Sequence, residues 1–254
     1  MNNLTFSKTK KIFFVSDLHF GAPNLKESKL REKKFLNWIN FIKKNAGALF
    51  IVGDLFDFWF EYKRVVPKGF VRILGKLAAL TDNGLPIYFF VGNHDLWLGD
   101  YFKSELGITV FYEPQEFNIN GKLFLIGHGD GLGPGDIGYK IMKKVFVHPV
   151  SKFIYRWLHP DIGIRLAKYI SLKGFNKKNQ NQKSFNGLEK DMICQYVLKK
   201  QNQKSRNYYL FGHSHLPLTF PIGKSLYLNL GDWISHFSYA EFDGKNIHLK
   251  NWKK

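Results

Sequence analysis

At 254 residues with 44 % hydrophobic and 17 % aromatic content, the chain can bury one substantial core without a disulfide or metal staple. Cys194 is the only cysteine, so no internal disulfide forms; the opening MNNLTFSKTKK has no apolar signal region, and the longest apolar runs fall well short of the roughly 20 residues of a membrane helix, so a cytoplasmic chain that does not span a bilayer is expected. The formal charge of +18 points to anionic partners, but only six of the 38 basic residues are Arg, the residue that bidentate phosphate and guanine recognition favours, so nucleic acid is not expected.

The first apolar run, Lys11 to Ser16, ends in Asp17-Leu18-His19-Phe20-Gly21, and an Asp and a His two positions apart just past a strand can turn toward one point. Phe35, Trp38, Ile39 and Ile42 recur at helical spacing and predict a packing helix over about 28–44. The next strand, Leu49 to Val52, stops at Gly53-Asp54, which delivers a carboxylate to the edge where open α/β sheets build their sites. A helix is predicted over 67–83, closed near Gly84, and Pro86 opens a third strand, Ile87 to Val91, that ends in Gly92-Asn93-His94-Asp95. The order β-α-β-α-β predicts parallel strands joined by crossovers. Strands around Thr109 to Phe111 and Lys122 to Ile126 then lead to Gly127-His128-Gly129-Asp130.

From Gly133 to about Lys183 the character changes. Ile141, Met142, Val145 and Phe146 form one apolar stripe, Pro149 interrupts it, Val150, Phe153, Ile154, Trp157 and Leu158 form a second at helical spacing, and Pro160 starts a third. The opposite faces carry Lys140, Lys143, Lys144, Lys152, Arg156, Arg165, Lys168, Lys173, Lys177, Lys178 and Lys183 against Asp136 and Asp161. Such stripes serve either as ordinary core-facing helix faces or as a lid at a membrane surface that grips an apolar substrate through residues such as Phe153, Arg156 and Trp157. After a polar Asn, Gln and Lys segment, a helix near 184–200 precedes the strand Tyr208 to Phe211, which ends in Gly212-His213-Ser214-His215. Tyr227 to Leu230, Phe237 to Phe242 and Asn246 to Leu249 read as antiparallel strands with a turn at Asp243-Gly244.

Several strands thus end in glycine or serine followed by metal ligands or proton-transfer groups. Imidazole and carboxylate donors suit first-row divalent ions, and the lack of thiolates argues for a catalytic and not a closed structural site. Two ions about 3.5 to 4 Å apart can clamp the attacking and leaving oxygens of a phosphoryl displacement, and they need one shared carboxylate, for which Asp54 is the candidate. An amide oxygen from Asn93 would ligate without adding negative charge. Taken singly, each cluster also has an ordinary reading as a turn carboxylate, a turn Asn or a core histidine. His148, His159, His236 and His248 lie outside the clusters and are expected in structural or surface roles.

In the order D-x-H, G-D, G-N-H-D, G-H, G-H-x-H, the clusters resemble the calcineurin-like metallophosphoesterases. The segments SDLHFG, GDLFDFWFEY, GNHDLW, GHGDGLGPGD and FGHSH, with the helical insertion, look more narrowly like the UDP-2,3-diacylglucosamine pyrophosphatase branch, which acts in lipid A synthesis; the match spans nearly the whole chain. The resemblance implies an α/β, four-layer α-β-β-α sandwich over 1–132 and 184–254, with a basic helical lid over 133–183. It also implies two divalent ions, Mn²⁺ in this branch, with Asp17, His19, Asp54 and His215 around one and Asp54, Asn93, His128 and His213 around the other. In much of the branch an Arg follows the metal-binding Asn, whereas this chain carries His94, as more general metallophosphoesterases do. That departure bears on the substrate, not on the reaction class. His94 would then protonate the leaving oxygen or stabilise its charge, with Asp95 orienting His94 or closing the turn. The implied reaction cleaves the pyrophosphate of UDP-2,3-diacylglucosamine to 2,3-diacylglucosamine 1-phosphate and UMP, at an anionic membrane surface on the cytoplasmic face of the inner membrane. The rival readings are a phosphodiesterase or nuclease of the same superfamily and a non-catalytic scaffold. A scaffold typically loses ligands, whereas every ligand position here is filled. The oligomeric state is open.

Overall fold

The strands Asn2–Leu4 (β1), Lys11–Val15 (β2), Ala46–Val52 (β3), Ile87–Phe90 (β4), Thr109–Phe111 (β5), Gln115–Ile119 (β6), Lys122–Ile126 (β7), Tyr208–Phe211 (β8), Pro217–Ile222 (β9), Ser225–Leu230 (β10), Ser238–Phe242 (β11) and Ile247–Asn251 (β12) form two sheets in the computed structural model, which describes residues 2–7, 9–167, 169, 171, 187 and 191–253. One sheet runs β12-β11-β2-β3-β4-β5, the other β1-β6-β7-β8-β10-β9. β2 to β5 are parallel to one another, as the alternation with helices predicts, and so are β7, β8 and β10. The carboxyl ends of the five strands that lead to candidate ligands therefore meet at one edge.

Strand alternation decides the layers. Phe13 and Val15 of β2 and Leu49 and Ile51 of β3 face α1 (Leu25–Ile42) and α2 (Val71–Asp82), where Trp38, Ile39, Ile73 and Leu77 complete an outer core. Phe14, Phe50 and Val52 point the other way, into a core between the sheets with Phe117, Phe124, Leu210 and Leu228. The short α3 (Tyr101–Ser104) precedes β5, and α4 (Ile137–Val147) and α5 (Pro149–Arg156) lie between β7 and β8. On the far face of the second sheet, α6 (Met192–Gln203) packs Ile193, Cys194 and Val197 against Leu125, Tyr209 and Phe211. These are the four expected layers, α-β-β-α.

Local chemistry sets the element ends. α1 begins at Leu25, earlier than its apolar periodicity suggests, because the Asn24 side chain caps it by accepting the Glu27 N–H at 3.0 Å. α2 starts at Val71, later than the proline at 67 indicates. β9 is not evident from sequence because it carries Pro217 and Pro221, which an edge strand tolerates. The expected helix over 184–200 is seen from Met192, capped by Asp191; the polar segment before it, the insertion's boundary at 183 and the basic positions Lys168, Lys173, Lys177, Lys178 and Lys183 lie outside the described residues.

Between β7 and α6, Pro149 separates α4 from α5, with the His148 imidazole capping α5, and a further helical run covers 160–167. α4 has no buried residue and α5 buries Tyr155. Their apolar stripes face outward: Trp157 is 78 % exposed, Ile154 62 %, Phe153 59 % and Ile141 58 %. These stripes are therefore not faces of the main core. Among the described residues, no helix is long and apolar enough to cross a membrane.

Candidate metal centre

Each expected ligand sits in the first residues past a strand, where the chain must turn sharply to aim a side chain back across the sheet edge. Asp17, His19, Asp54, His213 and His215 all adopt left-handed backbone, with φ of 54°, 45°, 52°, 65° and 61°. For residues other than glycine such conformations are strained, at a cost of about 1–3 kcal/mol each, and they persist only where surrounding bonds over-determine them. Glycine is required beside them for a different reason. A Cβ on Gly53 would collide with the His128 ring, and one on Gly92 would collide with the Asp54 carboxylate.

Two donor sets result. Asp17, His19 and His215 converge, as do Asp54, His128 and His213, and within each set one donor atom per residue lies within 4.8 Å of the others; His19, Asp54 and His94 lie equally close, bridging the two sets. His215 Nε2 lies 3.1 Å from Asp17 Oδ1, and His19 Nε2 lies 3.7 Å from the same oxygen. The Oδ2 atom of Asp54 stands between the sets, 3.5 Å from His19 Nε2 and 3.3 Å from His128 Nε2. Donors bound at about 2.0–2.2 Å to a common ion would be separated by about these distances. Asp17 Oδ1, Asp54 Oδ2, Asn93 Oδ1 and His128 Nε2 are all buried without a hydrogen-bond partner. Such atoms normally find one, and a cluster of them with no protein partner fits a pair of cations. His128 Nδ1 faces the carbonyl of Val52 at 2.8 Å, and since a carbonyl only accepts, Nδ1 carries the proton and the Nε2 lone pair turns inward.

The electrostatics match that donor set. Burial opposes the charges of Asp17 and Asp54, yet His215 and His19 around the first, and His128, His94 and His19 around the second, hold both carboxyls well below the usual range. Burial pushes His19 down to about 4, leaving its nitrogen unprotonated as a ligand must be. His128 is disfavoured as a cation by burial, but Asp54 outweighs this and raises it to about 10. The lowering of Asp54 and the raising of His128 share one cause, a buried Asp54 carboxylate that favours positive charge beside it.

His94 stands beside the ligands, its ring edge-on to His19 with centroids 4.6 Å apart, and its backbone N–H donates to Asp54 Oδ1 at 2.9 Å. A main-chain oxygen, and not Asp95, orients His94. Its Nδ1 donates to the main-chain oxygen of Asp57 at 2.6 Å. Asp95 instead accepts the backbone N–H of Asp54 at 2.7 Å and that of Gly92 at 3.4 Å. The loop folds the Asp95 carboxylate under the turn that carries Asp54, out of line with the imidazole. Burial and the neighbouring charge of Asp54 raise Asp95 to about 8.

Three further carboxylates frame the site. Asp57 lies three positions after Asp54. Asp232 Oδ2 is 3.6 Å from His215 Nδ1, and Asp232 Oδ1 is held by the N–H groups of Ile234, Ser235 and His236. Leu230-Gly231-Asp232 repeats the strand-glycine-aspartate pattern that singles out Asp54, so its signal is present in the sequence. Asp130, two residues past His128, accepts from Tyr139 Oη at 2.6 Å and Lys143 Nζ at 2.7 Å, which ties α4 to the metal loops. Trp97 Nε1 adds a bond of 2.6 Å to the carbonyl of Phe146, also on α4. Phe153, Arg156 and Trp157 are exposed on and just after α5. They do not enter the donor sets.

Two donor sets that share a carboxylate oxygen, with an imidazole alongside, define a two-metal hydrolase of phosphoric esters. The family model of calcineurin-like phosphoesterases matches residues 10–217, and the chain belongs to that family. It is similar along its length to proteins named UDP-2,3-diacylglucosamine hydrolase. The one from Porphyromonas gingivalis is 35 % identical, over 95 % of this chain and 97 % of that protein. The one from Vibrio parahaemolyticus is 29 % identical, over 94 % and 96 %. Among solved structures, Yfce, a phosphoesterase from E. coli, is similar at a TM-score of 0.48 and 15 % identity, covering 96 % of this chain and 93 % of that one.

Proposed function

We propose that this protein hydrolyses the pyrophosphate of UDP-2,3-diacylglucosamine, giving 2,3-diacylglucosamine 1-phosphate and UMP in lipid A biosynthesis, with Mn²⁺ as the metal. The relatives' shared name supplies the substrate. What carries the reading in this structure is the exposed apolar face of α4 and α5, beside a charged metal centre to which Asp130 and Trp97 tie α4. A small water-soluble phosphoester would need no such face. On this reading 133–183 is a lid, Phe153 and Trp157 hold acyl chains, Arg156 meets the headgroup, and the lysines hold the enzyme at anionic lipid, each worth about 1 kcal/mol near the surface.

Asp17, His19, Asp54 and His215 would hold one ion and Asp54, Asn93, His128 and His213 the other. Two bound divalent ions supply charge that offsets the phosphoryl oxygens and lowers the pKa of the attacking water. The chain does the rest. Asp95 and Asp232 keep Asp54 and His215 in place, and His94, pinned at Nδ1, presents its other nitrogen toward the reacting group, where it hands a proton to the leaving oxygen or stabilises its charge. Assaying the purified protein with Mn²⁺ against UDP-2,3-diacylglucosamine, a simple phosphodiester and single-stranded DNA tests the reading. Preference for the acylated nucleotide by orders of magnitude in kcat/KM is expected, and comparable turnover of the other two would replace it with a general phosphodiesterase.

A further inference from the structure

Asp57 bonds in two directions. Its main-chain oxygen accepts Nδ1–H of His94 at 2.6 Å, and its carboxylate Oδ1, 3.8 Å from the same nitrogen, accepts the hydroxyl of Ser171 at 2.6 Å. Asp57 is 5 % exposed, so both bonds lie where water competes poorly for them. Ser171 stands 114 positions further along the chain, beyond α5 in the segment that leads to α6. At its near end the same segment is tied through Tyr139 and Lys143 to Asp130. Two of the ties between the described part of this segment and the rest of the chain thus end on a carboxylate two or three residues past a candidate metal ligand, one on each sheet.

We propose that Ser171 is a positioning residue for His94, acting through Asp57. An imidazole held by one bond to a main-chain oxygen keeps its direction only as long as that peptide stays put. The Asp57 side chain is the handle on that peptide, and Ser171 is what holds the handle. The position of Ser171 is thereby registered at the one imidazole assigned to the leaving group. This rests on the role given to His94 above and goes beyond it, because it makes a residue outside the candidate ligand sets position the imidazole.

The test is a double-substitution cycle with metal content and melting temperature recorded for each protein. Ser171→Ala should lower kcat for UDP-2,3-diacylglucosamine roughly tenfold, the scale of a hydrogen bond to a charged group, with KM and bound metal unchanged. Ser171→Thr, which keeps the hydroxyl, should restore most of the rate. In a His94→Ala background the same Ser171→Ala change should alter kcat by less than about twofold, because the residue it acts on is gone. Equal losses in both backgrounds, or a rise in KM with kcat retained, would overturn the proposal, the latter by showing that Ser171 holds substrate. If the wild-type protein fails to turn over the acylated nucleotide, the substrate assignment falls instead, and the same cycle run on bis(p-nitrophenyl) phosphate still decides the role of Ser171.

Discussion

Asp95 Oδ2 accepts the backbone N–H of Asp54 at 2.7 Å, so one buried carboxylate fixes the peptide that presents the other. Asp54 needs that support because its φ of 52° is unfavourable for a side-chain-bearing residue. Asp95→Ala is expected to weaken metal affinity by about 10- to 100-fold, the usual cost of removing a group that orients a ligand, while Asp95→Asn, whose amide oxygen can still accept, should cost less. Titration of the apo-protein with Mn²⁺ checks this. Unchanged metal affinity with a fallen kcat would return Asp95 to a direct part in the chemistry.

Asp54 Oδ2 lies within 3.5 Å of imidazole nitrogens from both donor sets. Asp54→Asn should lower bound metal and reduce hydrolysis by several orders of magnitude, since the two cations would lose the charge they share. Full activity with two metals per chain, measured by elemental analysis, would rule out the bridging role.

His94 is close to the ligands and is pinned by Asp57. His94→Ala should keep both metals and lose roughly 10² to 10⁴ in rate, the usual contribution of general acid–base help. Metal content falling in step with activity would instead make it a ligand.

The exposed stripes of α4 and α5 predict selectivity for chain length. Replacing Phe153 and Trp157 together by Ser should raise KM for the diacyl nucleotide and leave a small chromogenic phosphodiester nearly untouched. Each methylene removed from the acyl chains should weaken apparent affinity by up to about 0.8 kcal/mol. Binding to anionic vesicles should weaken with added salt without vanishing, because part of it is apolar. Equal loss of both activities in the double variant would place the two rings in the fold's support, and indifference to acyl length would remove the lipid assignment.

Glu241, buried on β11, binds Lys11 Nζ at 2.7 Å and Lys250 Nζ at 3.1 Å. Burial works against its charge, but the two ammonium groups prevail and lower its pKa. A depressed carboxyl contributes stability above its unfolded pKa, about 4.3, and loses it as pH falls through the folded value. Glu241→Gln should therefore destabilise at pH 7, and the gap in urea midpoint should close in strong acid. A gap independent of pH would show that packing, not charge, is responsible.

The candidate ligand set was legible in the chain because it is written locally. A buried strand that stops at glycine must turn, and whichever Asp, Asn or His comes next is delivered to the sheet edge, so Asp17, His19, Asp54, Asn93, His128, His213 and His215 stand out one cluster at a time. The layers follow from strand and helix periodicity for the same reason. Partnerships across the chain are another matter. Asp57 and Asp95 both lie within three residues of a candidate ligand, and which of them holds His94 turns on loop dihedrals that composition and spacing do not encode. Asp232 carries the same pattern as Asp54, but only the pairing of β10 with β8 sets it behind His215. Periodicity likewise shows that α4 and α5 each have an apolar side without saying what covers it. That was decided by how these helices are tethered at Asp130 and Trp97, because a helix anchored by its polar residues can leave its apolar stripe turned outward.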